Sequence, residues 1–383
     1  MRAYDLEVTG SLKVSGDIKA SNYVIENTTT HMTTSFASGS TRFGDTGDDR
    51  HEFTGSLFIS ASRIGFTNPS RNVFFGDETG DLVTGADNTF LGYRAGYSAD
   101  TDGTNNGLQN VIIGSKAVGN NQGQYAEPFD MTGTVAIGYQ ALKNGAGSSN
   151  SVVIGSQAAD AVTSTDYLVI IGSGAGSAIN SADADGTIAI GYQAGVLLTS
   201  GRYSTFVGYA AGYSSDTNDG NTFIGYLAGY EADASTVVAG QNTYIGAFAG
   251  RFLDDGTDNV AIGYDAMASN SDGAANAVNY SIAIGRNAMA SSDSNQGTIA
   301  IGYYAGDHAS ADVDNAVIIG REAGRGAMTS GADGTVAIGY AASQALTSGA
   351  RNTSIGYQSA LNNATGADGT FLGYQSGLNV LLN

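Results

Sequence analysis

Thr335-Val336-Ala337-Ile338-Gly339-Tyr340 decides the fold, because the chain writes variants of this phrase seventeen times between Asn72 and Gly377. A second good copy is Asn221-Thr222-Phe223-Ile224-Gly225-Tyr226. The glycine that closes each phrase recurs from Gly76 to Gly373, and eight of the sixteen intervals between these glycines are 17 residues; the rest run from 16 to 24. Self-similarity at a fixed short period is the signature of a solenoid, in which each repeat is one coil stacked on the next. The variable intervals are coils that carry insertions.

With the glycine as position 0, position −3 is always Val, Ile or Thr, and position −1 is always Ile, Leu, Val or Phe. β-Branching stiffens the side chain and favours extended backbone, so the phrase predicts a short strand. Side chains alternate along a strand, which puts −3 and −1 on one face and −2 on the other. Position −2 is Ala, Phe, Val, Ile, Tyr or Ser and never charged. Both faces are therefore apolar, the pattern of strands covered on both sides. Another copy of the chain, related by rotation about the long axis, would cover the second face of every coil at once. On this reading the −2 residues Phe90, Phe206, Phe223, Tyr244 and Phe371 are the expected subunit-interface residues. Small residues at +3, Ala in fourteen copies, mark a tight corner beside the glycine. The remainder of each coil is Asp, Asn, Ser, Gly and Thr, which turn by bonding their own backbone. Seventeen coils at strand spacing would extend about 80 Å.

Composition narrows the function. Gly makes up 56 of 383 residues without falling every third position, and Pro occurs only twice, which excludes collagen. A formal net charge of −20 repels phosphate backbones and anionic headgroups, so nucleic acid is not an expected partner. With no Cys there is no disulfide or thiolate chemistry. Met1-Arg2-Ala3-Tyr4-Asp5-Leu6 leads into no apolar signal core, and no long apolar run follows, so neither secretion signal nor membrane insertion is expected.

Residues 1–65 differ from the rest. Leu6, Val8, Leu12, Val14 and Ile18 alternate between Gly10 and Gly16, and a similar rhythm returns in Phe53-Thr54-Gly55-Ser56-Leu57-Phe58-Ile59. Short strands with glycine turns are predicted, giving a β-rich N-terminal stem over 1–65 and a β-roll over 66–383.

The phrases Gly133-Thr134-Val135-Ala136-Ile137-Gly138 and Ser281-Ile282-Ala283-Ile284-Gly285 resemble the head repeats of trimeric autotransporter adhesins, a left-handed parallel β-roll. That resemblance implies an obligate homotrimer. The Leu-x-Val-x-Gly rhythm of residues 6–18 and His51-Glu52-Phe53-Thr54-Gly55-Ser56-Leu57 are similar to the N-terminal stem of structural proteins from tailed phages. It implies a non-enzymatic, homotrimeric tail or capsid fibre assembled in the host cytoplasm, joined through its N-terminal region to other virion proteins. Its partner would be a glycan or protein of the host surface. The alternatives are the head of a bacterial surface adhesin or a polysaccharide-degrading tailspike.

Candidate sites follow from departures from the coil. The longest interval holds Asn120 to Thr132, where Tyr125, Pro128, Phe129 and Met131 are out of character for a Ser/Asp turn and are the receptor-binding candidates. Tyr occupies +1 in ten copies, among them Tyr93, Tyr209, Tyr226 and Tyr374, a ladder suited to stacking between coils or on sugars. Asp pairs (Asp100 and Asp102, Asp183 and Asp185, Asp254 and Asp255, Asp312 and Asp314) supply no complete calcium loop. His31, His51 and His308 lie far apart in sequence, so neither a metal site nor a cofactor is expected.

Overall fold

A computed structural model describes residues 70–379 apart from 81–82, 98–105, 120–129, 146, 218, 232–239, 254–255, 270–277, 292–293 and 308–312. The chain divides into two units, Met1–Ile64 and Gly65–Asn383, and all described residues belong to the second. The expected stem strands therefore lie outside the described residues.

The second unit is an all-β parallel solenoid. Among the described residues, seventeen three-residue strands, from Val73–Phe75 to Thr370–Leu372, form one sheet in which each strand pairs in parallel with the next. Register is strict: Val336 lies opposite Thr353, Ala337 opposite Ser354 and Ile338 opposite Ile355. Position thus stacks on like position throughout. The only helical segments among the described residues are two 3₁₀ turns, Ala182–Ala184 and Ser330–Ala332, each in a coil lengthened to 19 residues.

Position 0 is where the coil turns out of the strand. The glycine takes φ between +113° and +144° in every coil, a region closed to other residues. It also lies so close to the next coil that a Cβ on Gly208 would sit 2.2 Å from the carbonyl oxygen of Gly225. Two positions on, residues such as Gln140, Gln157 and Gln193 adopt left-handed φ near +54°, and the amide of +3 donates back to the glycine carbonyl, closing the turn.

Which strand face points inward corrects the expectation from sequence. Phe90, Phe206, Phe223 and Tyr244 have no accessible surface in the single chain and Phe371 only 8%. They fill the lumen of the coil and are not available to a subunit interface. Residues −3 and −1 form the outer face instead, and in most coils they are half-buried. Alternation separates the two faces but does not label them; volume does. Each aromatic residue at −2 (Phe74, Phe90, Phe206, Phe223, Tyr244, Phe371) shares its coil with a glycine at +4, and a Cβ there would meet the ring at 2.1–2.8 Å. Where −2 is Ala, as at Ala136, Ala261 and Ala283, position +4 can be filled by Leu142, Met267 or Met289, all fully buried. No coil puts an aromatic residue at −2 together with a large residue at +4. Phe206, Phe223 and Tyr244 stack in sequence, the last pair 4.8 Å apart and nearly parallel.

Position −4, buried beside the lumen, carries Asn, Ser or Thr in fourteen of seventeen coils. The Asn242 backbone amide donates to Oδ1 of Asn221, Asn259 to Asn242 and Ser281 to Asn259, each at 3.0 Å. The Asn242 Nδ2 donates across its coil to the Gly256 carbonyl at 2.7 Å. Buried amides at the strand entrance are thereby satisfied from coil to coil.

Two substitutions should move stability in opposite senses. Gly208→Ala meets both a forbidden φ and a backbone oxygen, and should cost about 3 kcal/mol or more, read as a lower denaturation midpoint. Tyr244→Phe should be neutral or stabilising: the buried phenol lies near Asn259 without a made hydrogen bond, and burial pushes its pKa far above the ordinary value.

Candidate functional site: an aromatic groove

The tyrosines at +1 stand in a row along one edge of the sheet and are mostly half exposed. Their ring faces are largely spent on each other: Tyr192 on Tyr209 at 5.2 Å, Tyr209 on Tyr226 at 5.3 Å, Tyr340 on Tyr357 at 5.0 Å and Tyr357 on Tyr374 at 5.4 Å. A ring stacked on both sides has only its edge and hydroxyl left to offer. Arg321 caps the ladder between Tyr303 and Tyr340, with its guanidinium 5.8 and 5.7 Å from the two ring centroids.

At the coils closed by Gly208 and Gly225 a second aromatic row runs beside the first. Tyr213 and Tyr230, at +5, stack at 4.9 Å. Between the rows lies the +2 column, where Gln193 gives way to Ala210 and Leu227. Shortening the side chain at Ala210 leaves a groove of about 390 Å³ bounded by the two tyrosine rows. Arg251 and Phe252 close one end. The Arg251 guanidinium is held between Phe248 and Phe252, 4.8 and 4.7 Å from their centroids, and reaches Asp265 only at 3.9 Å. Its Nε is buried without a hydrogen bond. Partial burial raises the Tyr230 pKa, with smaller pushes in the same direction from Tyr213, Glu231 and Tyr209.

The other sequence candidates fare differently. Tyr125, Pro128 and Phe129 lie outside the described residues. Met131 is fully buried, which removes it from any receptor-binding surface. It stands seven residues before Gly138, in the column that holds buried Val278 and Val313, and its carbonyl accepts from Leu108 at 3.0 Å and from Asn110 Nδ2 at 2.9 Å. Asp100, Asp102, Asp254, Asp255, Asp312 and the three histidines also lie outside the described residues.

Several described loop acids cap backbone amides. Asp185 accepts from the Asp166 amide at 2.8 Å, Asp314 from the Gln296 amide at 2.8 Å and Asp333 from the Asp314 amide at 3.0 Å. Asp183 pairs with Arg202 at 2.9 Å. Among the described residues no group of three or more His, Cys, Asp or Glu is placed to hold a metal ion.

The groove is not legible from insertion length and aromatic content of loops, which single out Asn120 to Thr132 instead. Its signal lay in the five residues after the closing glycine, which every coil has: Ala and Leu at +2 where Gln is common, and Tyr at +5 in consecutive coils, at positions 210, 227, 213 and 230. The chain matches no protein-family model and no curated protein.

Because Asp185, Asp314 and Asp333 are committed to amides and Asp183 to Arg202, chelation with EDTA should leave the melting temperature unchanged. A fall of many degrees would show that bound calcium, rather than capping, holds the loops.

Proposed function

We propose that the chain is the rod of a homotrimeric fibre or spike, three copies packing through the outer sheet face, whose task is structural reach and attachment to a host surface. The carrying observation is the uncharged outer stripe. Every −3 residue is Val, Ile or Thr and every −1 residue Ile, Leu, Val or Phe, over all seventeen strands, in a chain of net charge −20. The stripe is partly open to water in the single chain; Ile224 and Ile245 are 38% and 36% exposed. Sixteen steps of ~4.8 Å by three residues of ~3.3 Å give about 800 Å². That footprint matches the area per partner of a stable protein interface. A second copy fits best, because only a partner with the same rung spacing stays in step along the whole stripe.

Resemblance of the repeats and of the N-terminal rhythm supports a tailed-phage fibre, with residues 1–65 joined to other virion proteins. The same repeats support, as the alternative, the head of a bacterial surface adhesin. Tyr125, Pro128 and Phe129 remain proposed contacts for the receptor.

Light scattering of the purified chain should give three times the chain mass. Ile224→Asp with Ile245→Asp places charges in the middle of the stripe and should shift the protein towards monomer or insolubility. A wild-type monomer would overturn the trimer. Antibody labelling of intact phage particles and of bacterial cells in micrographs separates the two settings.

A further inference from the structure

We infer that the groove between the Tyr209–Tyr226 row and the Tyr213–Tyr230 row binds a short stretch of neutral glycan. Repeat architecture supplies the first argument. What every coil needs for folding, every coil carries: the glycine at 0, the small residue at +3, the apolar strand. Nothing in that common requirement calls for Ala210 and Leu227 at +2, nor for Tyr213 and Tyr230 at +5. Both columns vary along the solenoid, and only here do two consecutive coils combine Ala or Leu at +2 with Tyr at +5, the combination that lines the groove.

Its chemistry selects the ligand. Stacking spends the ring faces within each row, so the tyrosines turn edges and hydroxyls outward, and each hydroxyl both donates and accepts. Leu227 and Phe252 add apolar surface. Hydroxyl-rich walls with an apolar patch match a sugar ring, which has polar edges and C–H faces. About 390 Å³ lies in the range of small-ligand sites. Charge argues for a neutral sugar: the Arg251 cation faces Asp265 at 3.9 Å, and Glu231 follows Tyr230, so an added anion gains no net field. Rows that advance one coil at a time suit a linear chain lying along the solenoid axis, each sugar meeting one rung. This names the partner class for the attachment reading, and it does not depend on the subunit number.

The test is an array of neutral, acidic and amino oligosaccharides probed with the full chain and two variants. Tyr213→Phe with Tyr230→Phe keeps the stack and removes the hydroxyls of one wall. Ala210→Gln introduces the residue that the preceding coil carries at this position and left-handed φ, Gln193 at +53°, and refills the groove. Neutral oligosaccharides should bind the wild type, about tenfold or more weaker in the double Phe variant, and not detectably in Ala210→Gln, with melting point and mass in solution unchanged. Binding to acidic glycans alone, no binding, or equal binding by the two variants would overturn the inference. If instead the chain proves monomeric yet binds through the groove, the trimer fails and the glycan site stands.

Discussion

Everything in this rod follows from one close approach, the carbonyl of each closing glycine set against the glycine Cα of the preceding coil. Because a Cβ has no room there, coils stack without offset, and each residue lies over its counterpart. A one-residue slip would place a side chain at the contact and exchange the two strand faces. Strict register then makes columns of like residues, and columns have their own energetics. Aromatic residues stacked on aromatic residues gain; asparagine on asparagine passes a hydrogen bond along the ladder. Charges stacked on like charges repel, so the strand columns hold none.

The lumen obeys a volume rule that operates within and between coils. An aromatic residue at −2 demands glycine at +4, and alanine at −2 permits methionine or leucine there. Gly195 shows the rule reaching a neighbour: its own coil has Ala189 at −2, yet a Cβ on Gly195 would lie 2.8 Å from the Phe206 ring of the next coil. Close packing of this kind makes each coil's stability depend on adjacent coils, as expected of a quasi-one-dimensional array.

The solenoid, its strands and their pairing order were legible because a β-branched, apolar, aliphatic, glycine phrase leaves one backbone solution when it repeats. The inward face was not legible from alternation, since −3, −2 and −1 are all apolar; Phe223 and Phe206 were read as outward for that reason. The pairing of Phe223 with Gly229 and of Ala283 with Met289 held the answer, as a volume compensation across six residues. Met131 was misread because it follows a long insertion. Its distance from Gly138, not its loop-like surroundings, places it in the core. Asn88, Asn110 and Asn242 passed as turn formers although their fixed place before the strand marked a buried ladder.

A rod built of identical rungs has surfaces that are good at meeting copies of themselves and poor at telling other molecules apart. The outer stripe repeats Val, Ile and Thr too evenly to present a distinct feature at any height. Specific recognition requires a position where the period is broken without breaking the stack. Insertions do this by leaving the coil at its corners. Ala210, Tyr213, Leu227 and Tyr230 do it at the corner that every coil shares, keeping φ, register and hydrogen bonds while changing only what the surface offers. Such a site is rigid because the rungs above and below fix its backbone, so a ligand meets side chains already in place and little ordering cost opposes binding.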